Sequence, residues 1–122
     1  MFFNNPWVRR HLLATGRVYT LRAKRRRREG AELLVTGSLY HAQRLGTGLV
    51  ACVKELEGLT PRALAPYVRG SGMESGAEWI RAFLGFVRGR PPSVVYLYHV
   101  QLLRVPDPAT GRPAVPQKGR ER

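Results

Sequence analysis

Arg17, Thr20 and Arg22 lie close together in the stretch Ala14-Thr15-Gly16-Arg17-Val18-Tyr19-Thr20-Leu21-Arg22 and could meet one ligand together. A guanidinium offers a planar fork of donors that suits a phosphate or an oxygen-rich base edge, and a threonine hydroxyl donates or accepts one hydrogen bond. Lys24 and the run Arg25, Arg26, Arg27 and Arg28 follow directly, a concentration of charge suited to a phosphate backbone. Each group also has a plainer account: Thr20 as a strand former, Arg22 as an ion-pair partner of Glu55 or Glu57, the arginine run as a solvated loop. Tyr40 and His41 add an aromatic platform on which a base could stack and an imidazole beside it. His99 falls in an apolar run and reads as a core or cleft-wall histidine, and Cys52 as a small buried hydrophobe.

The 122 residues carry 21 Lys and Arg against 8 Asp and Glu, a formal net charge of +13. The charge is uneven, with +8 in residues 1–30, +2 in 31–103 and +3 in 104–122. A partner reads the local field, so the N-terminal third is where a polyanion would dock. A single cysteine excludes a disulfide within the chain. Cys52, His11, His41 and His99 show none of the paired spacings of a zinc site, so no metal and no cofactor is expected. Asp107, the only aspartate, leaves no Ser/His/Asp arrangement to argue. No apolar run approaches the roughly 18 residues that cross a bilayer, and Met1 to Pro6 lacks the pattern of a secretory signal. These observations predict a single basic domain in the cytoplasm, with RNA or a nucleotide as partner and no membrane.

Local signals predict the elements that hold these residues. Asn5 as N-cap, Pro6 at the first helical position and Gly16 past the end frame a first helix, with Trp7, Val8, His11 and Leu12 toward the core. Residues 18–22 alternate as a strand, placing Thr20 and Arg22 on one face and Tyr19 and Leu21 on the other. Lys24 to Glu29 reads as a loop, 32–36 as a second strand, and 38–46 as a short strand and turn. Residues 47–56 read as a strand buried on both sides. Thr60-Pro61 opens a short helix that Pro66 ends early, and Ser75-x-x-Glu78 is a capping box before the stripe Ile80, Phe83, Leu84 and Val87. Val94 to Val105 forms the longest apolar strand. The Pro- and Gly-rich residues 106–122 read as a flexible basic tail after a domain spanning 1–105. This order predicts an α+β fold with a small curved or closed sheet.

The segment 14–22 resembles the activating signal cointegrator homology (ASCH) domain family, whose signature G-x-K-x-x-T-x-R runs from the end of the first helix along the first strand. The Glu-Leu-Glu-Gly-Leu-Thr-Pro entry at 55–61 and the closing strand from Val94 to Leu103 follow the same layout over roughly 100 residues. The resemblance implies a small PUA-like β-barrel with short flanking helices and an RNA-binding role through an electropositive cleft. Thr20 and Arg22 match the family threonine and arginine. Arg17 stands where the family has lysine, and Thr15 where it has glycine, with Gly16 displaced by one place. Some members are amidohydrolases acting on acetylated cytidine through that lysine, the threonine and a later glutamate. At the glutamate's place this chain has Arg69-Gly70-Ser71-Gly72, and Glu74 falls about three residues away. Arginine stays protonated at ordinary pH and cannot serve as a neutral base. The pattern therefore favours binding, with an enzyme on a modified nucleoside or on RNA, using Thr20, as the alternative.

Overall fold

The structure, a computed structural model, describes residues 1–104; the expected tail lies outside the described residues. Helix α1 spans Pro6–Thr15 and begins and ends on the expected signals. The Asn5 side chain accepts from the backbone N–H groups of Trp7 and Val8, and Gly16 adopts a left-handed φ of 80° that lets its N–H close on the Leu12 carbonyl. Strand β1 (Arg17–Arg22) follows at once, then β2 (Gly30–Thr36) and β3 (Gln43–Leu56). Helix α2 (Pro61–Leu64) starts from a Thr60 side-chain cap and gives way to a 3₁₀ turn over Ala65–Gly70, as Pro66 requires. Helix α3 spans Gly76–Phe86 and β4 Val95–Arg104. At Ser75 only half of the capping box forms: Ser75 Oγ accepts from Glu78 N–H at 3.1 Å, while the Glu78 carboxylate pairs with Arg81.

The strands make one antiparallel sheet in the order β1-β4-β3-β2. Residues 1–3 extend it beyond β2 through a bridge between Phe2 and Val35, with Phe3 N–H donating to the Val35 carbonyl. Alternation along the strands divides the apolar residues between two cores. Val18, Tyr98, Val100, Val50 and Leu34 pack on one face with Phe3 and with Val8 and Leu12 of α1. On the other face Leu21, Val95, Leu97 and Leu56 pack against Leu64, Trp79 and Phe83 of the helices.

Two expectations about burial fail. Trp7 is 50% exposed, because the buried stripe of α1 is Val8 and Leu12; its ring lies under the Arg10 guanidinium instead. Strand β3 begins at Gln43 and is buried on one side only, since the helices cover the β1 and β4 side of the sheet and stop short of Leu49 and Val53. Leu33 and Leu103 are exposed with them, leaving a bare aliphatic patch across β2, β3 and β4.

Candidate functional site

Strand β1 is a sheet edge, and beside it, between residues 2–5 and α3, lies a cavity of about 300 Å3. The strand's period of two sends Thr20 and Arg22 to the same side, and both line this cavity. Helical spacing brings Trp79, Phe83 and Phe86 of α3 to the opposite wall, while Phe2 and Phe3 close it from the N-terminal segment. The walls are therefore mainly apolar, with five aromatic and four aliphatic residues beside two asparagines. Both asparagines are engaged: Asn4 bonds Thr36 and both backbone groups of Gly37, and Asn5 caps α1. Among the described residues, the polar wall groups left for a ligand are the Thr20 hydroxyl and the Arg22 guanidinium. Thr20 is only 6% exposed.

Arg22 is an unusual cation. Its guanidinium lies 5.1 Å from the centre of the Phe3 ring, and its buried Nε finds no hydrogen-bond partner among the described residues. Desolvation and the neighbouring charge of Arg26 lower its pKa to about 10, with Glu32 and Tyr98 opposing the shift. It does not pair with Glu55, which is taken by Arg25 at 3.1 Å, nor with Glu57.

Arg17 does not join this cavity. Positions three apart on a strand point to opposite faces, so Arg17 lies on the far side of β1 from Thr20 and Arg22, opposite Gln101. There it sits near His99, whose ring is 5.0 Å from Tyr19, which in turn meets Tyr67 edge-on at 5.2 Å. Burial, and secondly the charge of Arg17, lower the pKa of His99. The 69–72 segment offers no acid: Ser71 is buried, its Oγ donating to the Val68 carbonyl and accepting from Met73 N–H, while Glu74 is exposed.

The arginine run is a structured loop. Arg26 pairs with Glu32 through two donors, and its backbone N–H donates to the hydroxyl of the buried Tyr98 at 2.7 Å. Arg25 is held by Glu55, and the Glu29 carboxylate accepts from Cys52 N–H. Lys24, Arg27 and Arg28 are exposed and make no ion pair among the described residues, and Arg27 and Arg28 line a shallow depression spanning residues 26–32. Tyr40 is 92% exposed and His41 exposed, both in the connection between β2 and β3, whose first residue, Gly37, is fastened by Asn4 of the cavity wall. Cys52 is partly buried, its sulfur 3.9 Å from the Arg25 guanidinium.

The sequence reading missed the aromatic walls. The pair Trp79 and Phe83 was visible at helical spacing, but nothing in Phe2-Phe3 announces that a segment paired with β2 also brings the Phe3 ring to Arg22 of β1. Among the described residues no three His, Cys, Asp or Glu side chains gather at one point, and no helix is long and apolar enough to cross a membrane. Comparison with protein-family models, curated proteins and solved structures returns no match to this chain.

Proposed function

We propose that this chain is a cytoplasmic RNA-binding domain of the ASCH type, with a PUA-like barrel whose electropositive loop holds phosphates. The observation that carries the reading is the division of labour in the loop after β1. Arg25 and Arg26 spend their charge on Glu55 and Glu32, which anchors the loop, while Lys24, Arg27 and Arg28 are exposed and make no ion pair among the described residues. The loop starts from the cavity wall at Ala23, so a strand lying on it passes the opening beside Thr20 and Arg22. Phosphate contacts then supply affinity, and the cavity supplies selectivity for whatever group enters it. The barrel reading is supported by the stack of Arg22 on Phe3, which brings the β1 edge of the sheet within reach of the segment that extends the β2 edge. Tyr40 is free to stack on a base.

The enzyme alternative has less support, since Arg17 lies on the opposite face from Thr20 and no carboxylate among the described residues lines the cavity. A salt titration with labelled single-stranded RNA tests the binding reading. Three phosphate contacts give a slope of log affinity against log salt near −2, and replacing Arg27 and Arg28 together by Ala flattens it by about 1.4. Absence of binding at about 50 mM salt, or a slope that ignores the double substitution, overturns the proposal.

A further inference from the structure

We infer that the cavity beside Thr20 and Arg22 takes a small organic monoanion with a flat apolar body, of the aryl carboxylate class. Its carboxylate meets the Arg22 fork and the Thr20 hydroxyl, and its ring lies among Phe3, Trp79, Phe83 and Phe86. The inference rests on this cavity being the ligand site proposed above, and it does not depend on RNA being the partner.

Charge decides the sign of the ligand. A largely desolvated guanidinium whose buried Nε has no partner among the described residues is costly, and the described acidic groups nearest it are otherwise engaged: Glu32 with Arg26, Glu55 with Arg25 and Glu29 with the Cys52 backbone. No Asp or Glu among the described residues lines the cavity, so an anionic ligand is the fitting source of the countercharge. The desolvation that lowers the Arg22 pKa is the same deficit seen from the proton's side. A neutral ligand, a plain nucleobase included, leaves that charge uncompensated. A dianion brings a second charge for which the aromatic walls offer no partner.

Size and shape decide the rest. About 300 Å3 is the lower limit of ordinary ligand sites and suits one or two fused rings. Phe3, which already carries the guanidinium on its face, holds the fork in place, so little side-chain entropy is lost when a planar carboxylate meets it. Thr20 supplies the remaining donor next to it on the same strand face.

The test titrates the full chain with benzoate, phenylacetate and indole-3-acetate, with the corresponding neutral amides, and with the four ribonucleoside monophosphates. The indole N–H resonance of Trp79 and calorimetry report binding. At least one carboxylate saturates, its amide binds about tenfold more weakly or worse, and Arg22→Met abolishes that discrimination. Thr20→Val weakens the carboxylate several-fold and leaves the amide unchanged. No saturation by any carboxylate up to about 10 mM, equal binding of acid and amide, or binding of nucleotides alone overturns the inference. Should Arg22→Met fail to fold, the acid and amide pair on the unaltered chain decides by itself. Salt-dependent RNA binding without carboxylate binding sinks this inference and leaves the RNA reading standing; the converse sinks the RNA reading alone.

Discussion

Replacing Arg22 by methionine should make the protein more stable, which is the opposite of what deleting a well-made ion pair does. In the folded chain the Arg22 side chain is largely desolvated, its buried Nε has no partner among the described residues, and its pKa falls from the usual arginine range to about 10. A depression of that size corresponds to about 3 kcal/mol of penalty on the charged form relative to the unfolded chain. Loss of the stack on Phe3 returns about 1 kcal/mol of it. The methionine fills similar space with apolar contact, so the net gain is about 2 kcal/mol, or a rise in Tm of roughly 5–10 °C. Linkage gives a second signature. Both folded and unfolded chains carry the charged guanidinium below about pH 10, so the penalty is constant through neutrality and fades only as pH rises above about 10 toward the usual arginine range, where the folded state alone loses the proton. Urea unfolding of both chains at pH 7 and pH 9 measures the difference, with an unchanged m-value as control. A variant less stable than the parent by about 1 kcal/mol or more would mean that Arg22 has a partner in solution, and the electrostatic case for an anionic ligand would go with it.

Two further substitutions test the other face of β1. A Cβ at Gly70 would lie 2.6 and 2.8 Å from Cδ2 and Cε2 of Tyr19, so Gly70→Ala should cost about 1–3 kcal/mol by pushing that ring off Tyr67 and His99. Gly58→Ala, where nothing lies within 4 Å, is the control and should stay within about 0.5 kcal/mol; equal effects at the two sites contradict the packing. His99 is held below its usual 6.5 by burial and then by Arg17, so its stabilising contribution is complete above about pH 6.5 and is lost as pH falls below that value. An NMR titration should find the His99 midpoint below 6.5 and raised in Arg17→Gln, and a midpoint at or above 6.5 in the parent chain refutes the assignment.

Local chemistry was the legible part of the sequence. Asn5, Pro6 and Gly16 mark the ends of α1, Thr60 and Ser75 mark the starts of α2 and α3, and the alternation over 18–22 places Thr20 and Arg22 together, because each of these signals depends on neighbours within a few residues. The same alternation, applied one step further, also separates Arg17 from them, and the expectation of one cleft for all three overlooked it. Which apolar face ends up covered was not legible. Leu49 and Val53 look no different in sequence from buried residues, and only the reach of the helices decides that they stay bare. Nor could the sequence tell that Arg25 and Arg26 serve as anchors while Arg27 and Arg28 make no ion pair among the described residues. That depends on Glu55 and Glu32 arriving from β3 and β2, contacts 30 and 6 residues away along the chain.

The bare aliphatic patch formed by Leu33, Leu49, Val53 and Leu103 has a colloidal consequence. Such a patch invites copies to stick, but a formal charge of +13 on 122 residues keeps them apart in dilute salt. On the RNA-binding proposal, a polyanion held by Lys24, Arg27 and Arg28 would remove part of that repulsion and leave the patch bare. Loading and clustering would then be coupled: the protein would be most soluble when empty or when the polyanion is in large excess, and most prone to condense near charge balance.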